Sequence, residues 1–372
     1  MMIRNFAIAL TVAVSPAALA QSVTNDAELA VFAEQARESS GAPAAAVLLW
    51  QAGETRIGVA GVREAGSDAA VTPDDLWHIG SDTKAMTAML AARLVEAGVI
   101  SWDDTIGERL GGVIEGMDPA YPALTFRHLF SHRAGLPANI GMVDMIRFQM
   151  EGTSGRPMPE QRLDYALRML RTAPAAEAET EFLYSNAGYV IAGAMLEQAT
   201  GQSWESLMAS EVFEPLGLDS AGFGPPGSVD AIDQPRGHRS GMLGGLTAVP
   251  PGPRADNPPV LGPAGTVHIS LSDLGRYLGA QMAGDRGEAS DYLTADSWQT
   301  LHTPPFGGDY ALGWARQNGR LIHAGSNTMW FVQIVMDPQS DRAVVIAFND
   351  GRVDQVAPTM GPVFGALLTP SD

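Results

Sequence analysis

Strand-like and helix-like patterning is segregated along this chain, with strand pattern at both ends and helix pattern between them. Near the start, "AAAVLLW" (44–50), a "QAGE" turn and "TRIGVAG" (55–61) read as a β-hairpin. Near the end, "YALGWA", "RLIHAG", "WFVQIVMD" and "RAVVIAFN" read as short strands separated by turns such as "QNG" and "PQSD". The simplest arrangement joins both β ends in one sheet and inserts the middle as a second lobe. That middle is mostly helical. In "SDTKAMTAMLAARLVEAG" (81–98), Met86, Met89, Leu90, Leu94 and Val95 fall at helical spacing, and Gly98 ends the run. Residues 124–136, 159–172 and 186–201 repeat the pattern, and single helices are expected over Asn25–Glu38 and about 354–368. Residues 222–265 differ, with nine prolines and almost no apolar periodicity. They read as one long irregular loop, either functional or a plain surface excursion.

The first twenty residues stand apart from this pattern. Arg4, the apolar run "FAIALTVAV" and the small-residue site "ALA" at 18–20 make a secretory signal peptide, so export to a periplasm or the medium is expected. The apolar run is too short to span a bilayer, and no later stretch reads as a membrane span. The mature chain, 21–372, is expected to be one domain. Its sheet-bearing lobe would take about 21–80 and 297–372, and its mainly helical lobe about 81–296. There is no cysteine, so disulfides do not hold it. The formal charge is −19. So acidic a surface repels nucleic-acid backbones and anionic membranes and leaves a small molecule, or a short peptide or ester, as the expected partner. Oligomeric state is open.

The cations carry the sharpest signal. Of 23 Lys plus Arg, 22 are arginine, and the single lysine is Lys84, three residues after Ser81. A serine hydroxyl needs a nearby base to act as a nucleophile. A lysine held neutral by burial can be that base, whereas a guanidinium stays protonated. A bare S-x-x-K match is short and common, and Lys84 could be an ordinary surface residue. Its uniqueness, and the serine at a helix start where backbone N–H groups favour negative charge, give the match weight. Two further elements lie downstream. "FLYSNAGY" puts Tyr184 and Asn186 at the head of a helix, where a phenol can relay protons and an amide can orient a carbonyl; a buried structural tyrosine is the alternative. "LIHAGSNTMW" ends a strand with His323, Ala324 and Gly325. An edge there could offer backbone groups to an extended substrate. The Ser326 N–H could join the Ser81 N–H in an oxyanion hole. His128 and His132 have i, i+4 spacing, but no H-E-x-x-H motif and no cysteine support a metal site. No cofactor is expected.

In this order and spacing the three elements resemble the serine β-lactamase and D-alanyl-D-alanine peptidase superfamily, in particular its class C-like subset with related carboxylesterases and D-aminopeptidases. The signatures S-x-x-K, Y-x-N and [K/H]-[T/S/A/G]-G read here Ser81-Asp82-Thr83-Lys84, Tyr184-Ser185-Asn186 and His323-Ala324-Gly325. "TFRHLFSHRAGLP", "GPAGTVHISLSDLGRYL" and "ALGW" extend the likeness over nearly the whole mature chain. The resemblance implies an α+β fold: an antiparallel β-sheet flanked by helices plus an inserted all-helical lobe, with the site between them. It implies Ser81 as the acylated nucleophile and Lys84 and Tyr184 as the proton-transfer pair. Asn186, His323, Ala324, Gly325 and Ser326 would bind substrate. Where many β-lactamases carry a second lysine, this chain carries His323, and an imidazole is mostly neutral near pH 7. The expectation is therefore a D-alanyl peptidase-like or esterase-like hydrolase rather than an efficient β-lactamase. A penicillin- or peptidoglycan-fragment sensor that does not turn over is the alternative.

Overall fold

The computed structural model describes residues 23–241, 245–288 and 290–369. The expected signal peptide lies outside the described residues. The strands are β1 (Ala44–Gln51), β2 (Glu54–Gly61), β3 (Leu76–His78), β4 (Gly222–Phe223), β5 (Gly237–Ser240), β6 (Leu246–Val249), β7 (Val267–Ser270), β8 (Ala315–Gln317), β9 (Arg320–Ser326), β10 (Phe331–Asp337) and β11 (Arg342–Phe348). The α-helices are α1 (Ala27–Ser40), α2 (Thr83–Glu96), α3 (Ile106–Leu110), α4 (Phe126–Phe130), α5 (Met142–Glu151), α6 (Met158–Leu170), α7 (Asn186–Thr200), α8 (Trp204–Met208), α9 (Glu214–Leu216), α10 (Gly262–Gly265), α11 (Leu271–Asp285), α12 (Ala295–His302), α13 (Val353–Val356) and α14 (Met360–Leu368).

The two β ends do meet. The main sheet runs β2-β1-β11-β10-β9-β8, antiparallel throughout, and Val47 of β1 pairs with Ile346 of β11. β1 is an unbroken apolar run because both of its faces are covered. Ala44, Ala46, Leu48 and Trp50 enter the core shared with the inserted helices. Ala45, Val47 and Leu49 enter a second core with residues of α1, α13 and α14. Side chains alternate across a strand, so one sequence feeds two cores. Asp26 starts α1 by accepting from the Glu28 and Leu29 amides, and Gly41, in the left-handed region, ends it.

In the inserted part, α7 is buried continuously from Ala187 to Glu197 and packs against α3, α4 and α6. α11 falls in the stretch expected to belong to the helical lobe, yet it lies on the sheet. A Cβ on Gly275 would stand 2.3 Å from Thr55 Oγ1. A three-stranded sheet, β3-β7-β4, fixes the approach to Ser81, with Ile79 N–H donating to Val267 O at 2.9 Å.

Three local expectations change. Of "YALGWA", only Ala315 is in a strand; at Gly313 the backbone turns with φ 88° and passes so close to α2 that a Cβ would stand 2.6 Å from Ala85 Cα. The helix expected over 124–136 stops at Phe130, and His132 has φ 59°, so His128 and His132 do not share a helix face. Residues 222–265 are not one irregular loop: they supply β4, the β5–β6 hairpin, a 3₁₀ turn and α10. Trp314 and Trp330 are core residues, 1% and 0% exposed.

Candidate active site

Ser81 sits in a one-turn 3₁₀ segment, Gly80–Asp82, that runs directly into α2. This keeps Ser81 and Lys84 one turn apart. Lys84 is fully buried, and its Nζ lies 3.1 Å from Ser81 Oγ, 2.8 Å from Asn186 Oδ1 and 2.6 Å from Ala264 O. Burial drives the Lys84 pKa well down, opposed by the Asp82 carboxyl. The three neighbours dictate how a neutral amine is oriented. Two are carbonyl oxygens, which only accept, so both N–H bonds point at them. The remaining lone pair has one partner able to donate a proton, the Ser81 hydroxyl.

Tyr184 and Asn186 come from the start of α7, where Ser185 caps the helix by accepting from Gly188 N–H. The Tyr184 ring is partly exposed, and its phenol is within reach of the Ser81 hydroxyl. Burial raises its pKa, outweighing the Ser81 hydrogen bond that lowers it. The phenol therefore keeps its proton near neutrality. Asn186 is engaged on both sides: its Oδ1 accepts from Lys84, and its Nδ2 donates to Asn139 Oδ1 at 3.0 Å. One N–H remains for substrate. Lys84 Nζ also lies over the rings of Tyr184, at 4.8 Å, and Tyr189, at 5.4 Å.

The third element reaches the same place through close backbone packing. A Cβ on Gly325 would stand 2.8 Å from Ser81 N, and one on Gly80, where φ is 51°, would stand 2.4 Å from Ser326 N. Only glycines let these two segments touch. The β8 strand pairs with Arg320–Ile322 and no further, so along His323–Ser326 that edge of β9 has no strand partner among the described residues. Ala324 is exposed on it. His323 is placed differently from expectation. Its Nδ1 faces Asp82 Oδ1 at 3.2 Å and its Nε2 faces the Tyr310 hydroxyl at 3.0 Å. Both ring nitrogens are taken by protein groups, so the ring ties β9 to the Ser81 turn and is not turned toward a substrate carboxylate. Burial raises the Asp82 pKa, against the lowering effect of His323.

Ser81, Lys84, Tyr184, Asn186, Ala324, Gly325 and Ser326 thus converge on one cleft. Sequence reasoning missed Asn139, the Ala264 carbonyl, the Asp82–Tyr310 hold on His323, and His132. His132 accepts from Ser185 N–H at 3.0 Å and packs its ring 4.4 Å from that of Tyr184. Asp82 stands inside the first motif and Ala264 inside the quoted Gly-rich turn, so both carried a positional signal. Asn139 and Tyr310 carried none.

A mixed α/β fold with a serine, a buried lysine and a tyrosine gathered at a sheet edge defines a nucleophilic serine site. The chain belongs to the Beta-lactamase family, whose sequence profile matches residues 29–361. Among similar curated proteins, Penicillin-binding protein 4 of Amycolatopsis lactamdurans is 29% identical over 253 residues, 67% of this chain and 61% of that protein. Esterase EstB of Burkholderia gladioli is 28% identical over 163 residues, 43% of this chain and 41% of that protein. The chain therefore spans less than two thirds of either relative's length. The octameric penicillin-binding protein homologue from Pyrococcus abyssi shares the fold, with a TM-score of 0.71 at 23% identity over 91% of this chain and 77% of that one.

Proposed function

We propose that this chain is a serine hydrolase that works through an acyl-Ser81 intermediate. The observation that carries the reading is the Lys84 environment: two carbonyls fix its N–H bonds and leave its lone pair to the Ser81 hydroxyl. Ser81 Oγ attacks the substrate carbonyl carbon as its proton passes to Lys84 Nζ. The carbonyl oxygen takes the negative charge and accepts from the Ser81 and Ser326 amides. The Tyr184 phenol gives its proton to the departing amine or alcohol and is reprotonated from Lys84. Collapse breaks the bond to that leaving group. Water then attacks the acyl-enzyme, loses its proton to the same pair, and releases the acid and free Ser81. Lys84 is the base in this scheme because burial favours its neutral amine and disfavours ionisation of the Tyr184 phenol.

The substrate is an ester or short amide, D-alanyl peptidase-like or esterase-like, rather than an efficiently cleaved β-lactam. Support comes from His323, whose ring nitrogens are both engaged, by Asp82 and Tyr310, and so are not free for a substrate carboxylate. Phe182, exposed and 5.2 Å from the Tyr310 ring, adds an apolar wall that suits an acyl chain. Names among the relatives, a penicillin-binding protein and an esterase, fit the same range. Export, to a periplasm or the medium, belongs to the reading on the strength of residues 1–20.

A hydrolysis panel of short-chain p-nitrophenyl esters, nitrocefin and a D-Ala-D-Ala peptide, run beside Ser81→Ala, tests the proposal. The ester is turned over fastest and Ser81→Ala abolishes it. Equal turnover by both proteins rejects the mechanism. A Ser81 adduct that forms and never decays, seen by intact-mass spectrometry, means a sensor.

A further inference from the structure

An oxyanion hole built from the Ser81 and Ser326 amides depends on the spacing of two separate backbone segments. One buried carboxylate touches both. We propose that Asp256 is a positioning residue for the oxyanion hole, clasping the segment that carries the Ser81 amide to the segment that carries the Ser326 amide. The inference rests on the acyl-Ser81 reading.

The hydrogen bonds have fixed directions. Gly80 N–H donates to His78 Nδ1 at 3.1 Å. A backbone N–H can only donate, so Nδ1 holds the lone pair and Nε2 holds the proton. That Nε2–H donates to Asp256 Oδ2 at 3.0 Å. The other oxygen, Oδ1, accepts from Asn327 Nδ2 at 2.9 Å and from Asn257 N–H at 2.7 Å. Asn327 immediately follows Ser326, and its own Oδ1 accepts from Met329 N–H at 3.2 Å and Trp330 N–H at 3.1 Å, which shapes the turn after β9. The Trp330 ring stacks on His78 with centroids 5.5 Å apart, so the chain of contacts closes on itself. His78 and Asn327 are 0% and 1% exposed, and the Asp256 side chain 7%. In so dry a setting a mismatched donor or acceptor is costly.

An Asp–His pair near a nucleophilic serine resembles two thirds of a Ser–His–Asp triad, but the geometry excludes that role. Both His78 ring nitrogens are committed, one to Gly80 and one to Asp256, and neither is left for Ser81. The pair grips backbone instead. Asp256 comes from the proline-rich 222–265 stretch, which gives that stretch a task at the site: it supplies the clasp as well as the Ala264 carbonyl that orients Lys84.

A double-mutant cycle on the full chain tests this, using Asp256→Asn, Asn327→Asp and the pair together. Asp256→Asn sets an amide NH2 against the Asn327 NH2. Asn327→Asp keeps the two turn bonds but sets carboxylate against carboxylate. In the double variant the two clasp contacts return, the new carbonyl at 256 accepting from His78 and its amide donating to the new carboxylate at 327, while the Asn257 N–H and the Ala255 carbonyl, which accepts from Asn327 Nδ2 at 3.3 Å, lose their partners. With an activated ester, each single substitution lowers kcat roughly 10- to 100-fold, less than outright removal of an oxyanion donor, and leaves KM within about twofold. Affinity for a boronic acid, whose boronate oxygen occupies the hole, falls in proportion. The double variant recovers part of the loss, with kcat at least about threefold above the worse single variant. A folded single variant with wild-type kcat overturns the clasp, as does KM rising in step with the fall in kcat, or a double variant no better than the worse single. If one single variant does not fold, the other and the double carry the comparison; if neither folds, the contacts are structural and the proposal fails. Absence of Ser81-dependent turnover in the wild type removes the acyl-Ser81 reading and this inference together, whereas active wild type with unaffected single variants removes the inference alone.

Discussion

Lys84 is the one position where the chain departs from arginine, and its surroundings explain the choice. Burial favours the neutral amine, and a guanidinium cannot become neutral under any condition the fold survives. Lys84→Arg is therefore expected to lower kcat by about 10²–10⁴, the usual worth of a general base, while circular dichroism shows the fold retained. The pH dependence follows in sign. The base form of Lys84 is present above its depressed pKa and is lost as pH falls through it, so kcat/KM declines on the acid side. A pH–rate profile of wild type shows this limb, and Tyr184→Phe keeps it at a lower plateau. A profile flat down to the acid unfolding range contradicts the assignment. The lysine's uniqueness was legible in the sequence. The carbonyl of Ala264, 180 residues away along the chain, was not, because a backbone oxygen has no residue type to betray it.

At the scale of elements, the ends of α11 and α12 are tied to β8 through Asp285. Burial alone would raise this carboxyl, but the His302 imidazole, 3.2 Å away, and the Arg316 guanidinium outweigh it and bring it down to about 2. The Arg316 contact is 2.5 Å, and the Asp285 side chain is 7% exposed. A depressed folded pKa contributes stability that is full above the unfolded value near 4 and is lost as pH falls from about 4 toward 2. Asp285→Asn should cost about 2 kcal/mol at pH 7, with a gap to wild type that narrows as pH approaches 2. Urea titrations at pH 7 and pH 2.5 measure this, and an equal gap at both contradicts it. Elements with strong periodicity were legible: the first hairpin, α2, α6 and α7 lie within a few residues of expectation. Residues 310–314 were not, because their apolar character serves a turn packed on α2 rather than a strand. The 222–265 stretch was read as featureless because its short strands and turns are held by partners elsewhere, with no period of their own.

Across the whole molecule, the inserted helices are joined by a fully buried arginine. Arg162 of α6 bonds Glu197 of α7 and Glu205 of α8, and its guanidinium lies 5.7 Å from the Trp204 ring. Burial pushes the Glu197 carboxyl up to about 6, with Arg162 holding it lower than burial alone would. Removing one partner of a buried pair strands the other, so Arg162→Ala is expected to cost about 3–5 kcal/mol. Since α7 begins at Asn186, activity should fall with it; urea unfolding and ester turnover check both, and a loss under about 1 kcal/mol contradicts the expectation. The sequence by itself determined the segregated β and helical patterning, the joining of the two β ends in the main sheet, and the ordered Ser81, Lys84, Tyr184 and Asn186 elements. These are set by periodicity and by side-chain chemistry, which local sequence carries. Only the tertiary structure decided that His323 is held by Asp82 and Tyr310, that Asn139 bonds Asn186 and Ala264 bonds Lys84, and that Asp256 bridges His78 and Asn327 beside Ser81 and Ser326. Those are contacts between distant parts of the chain, fixed by how the lobes pack.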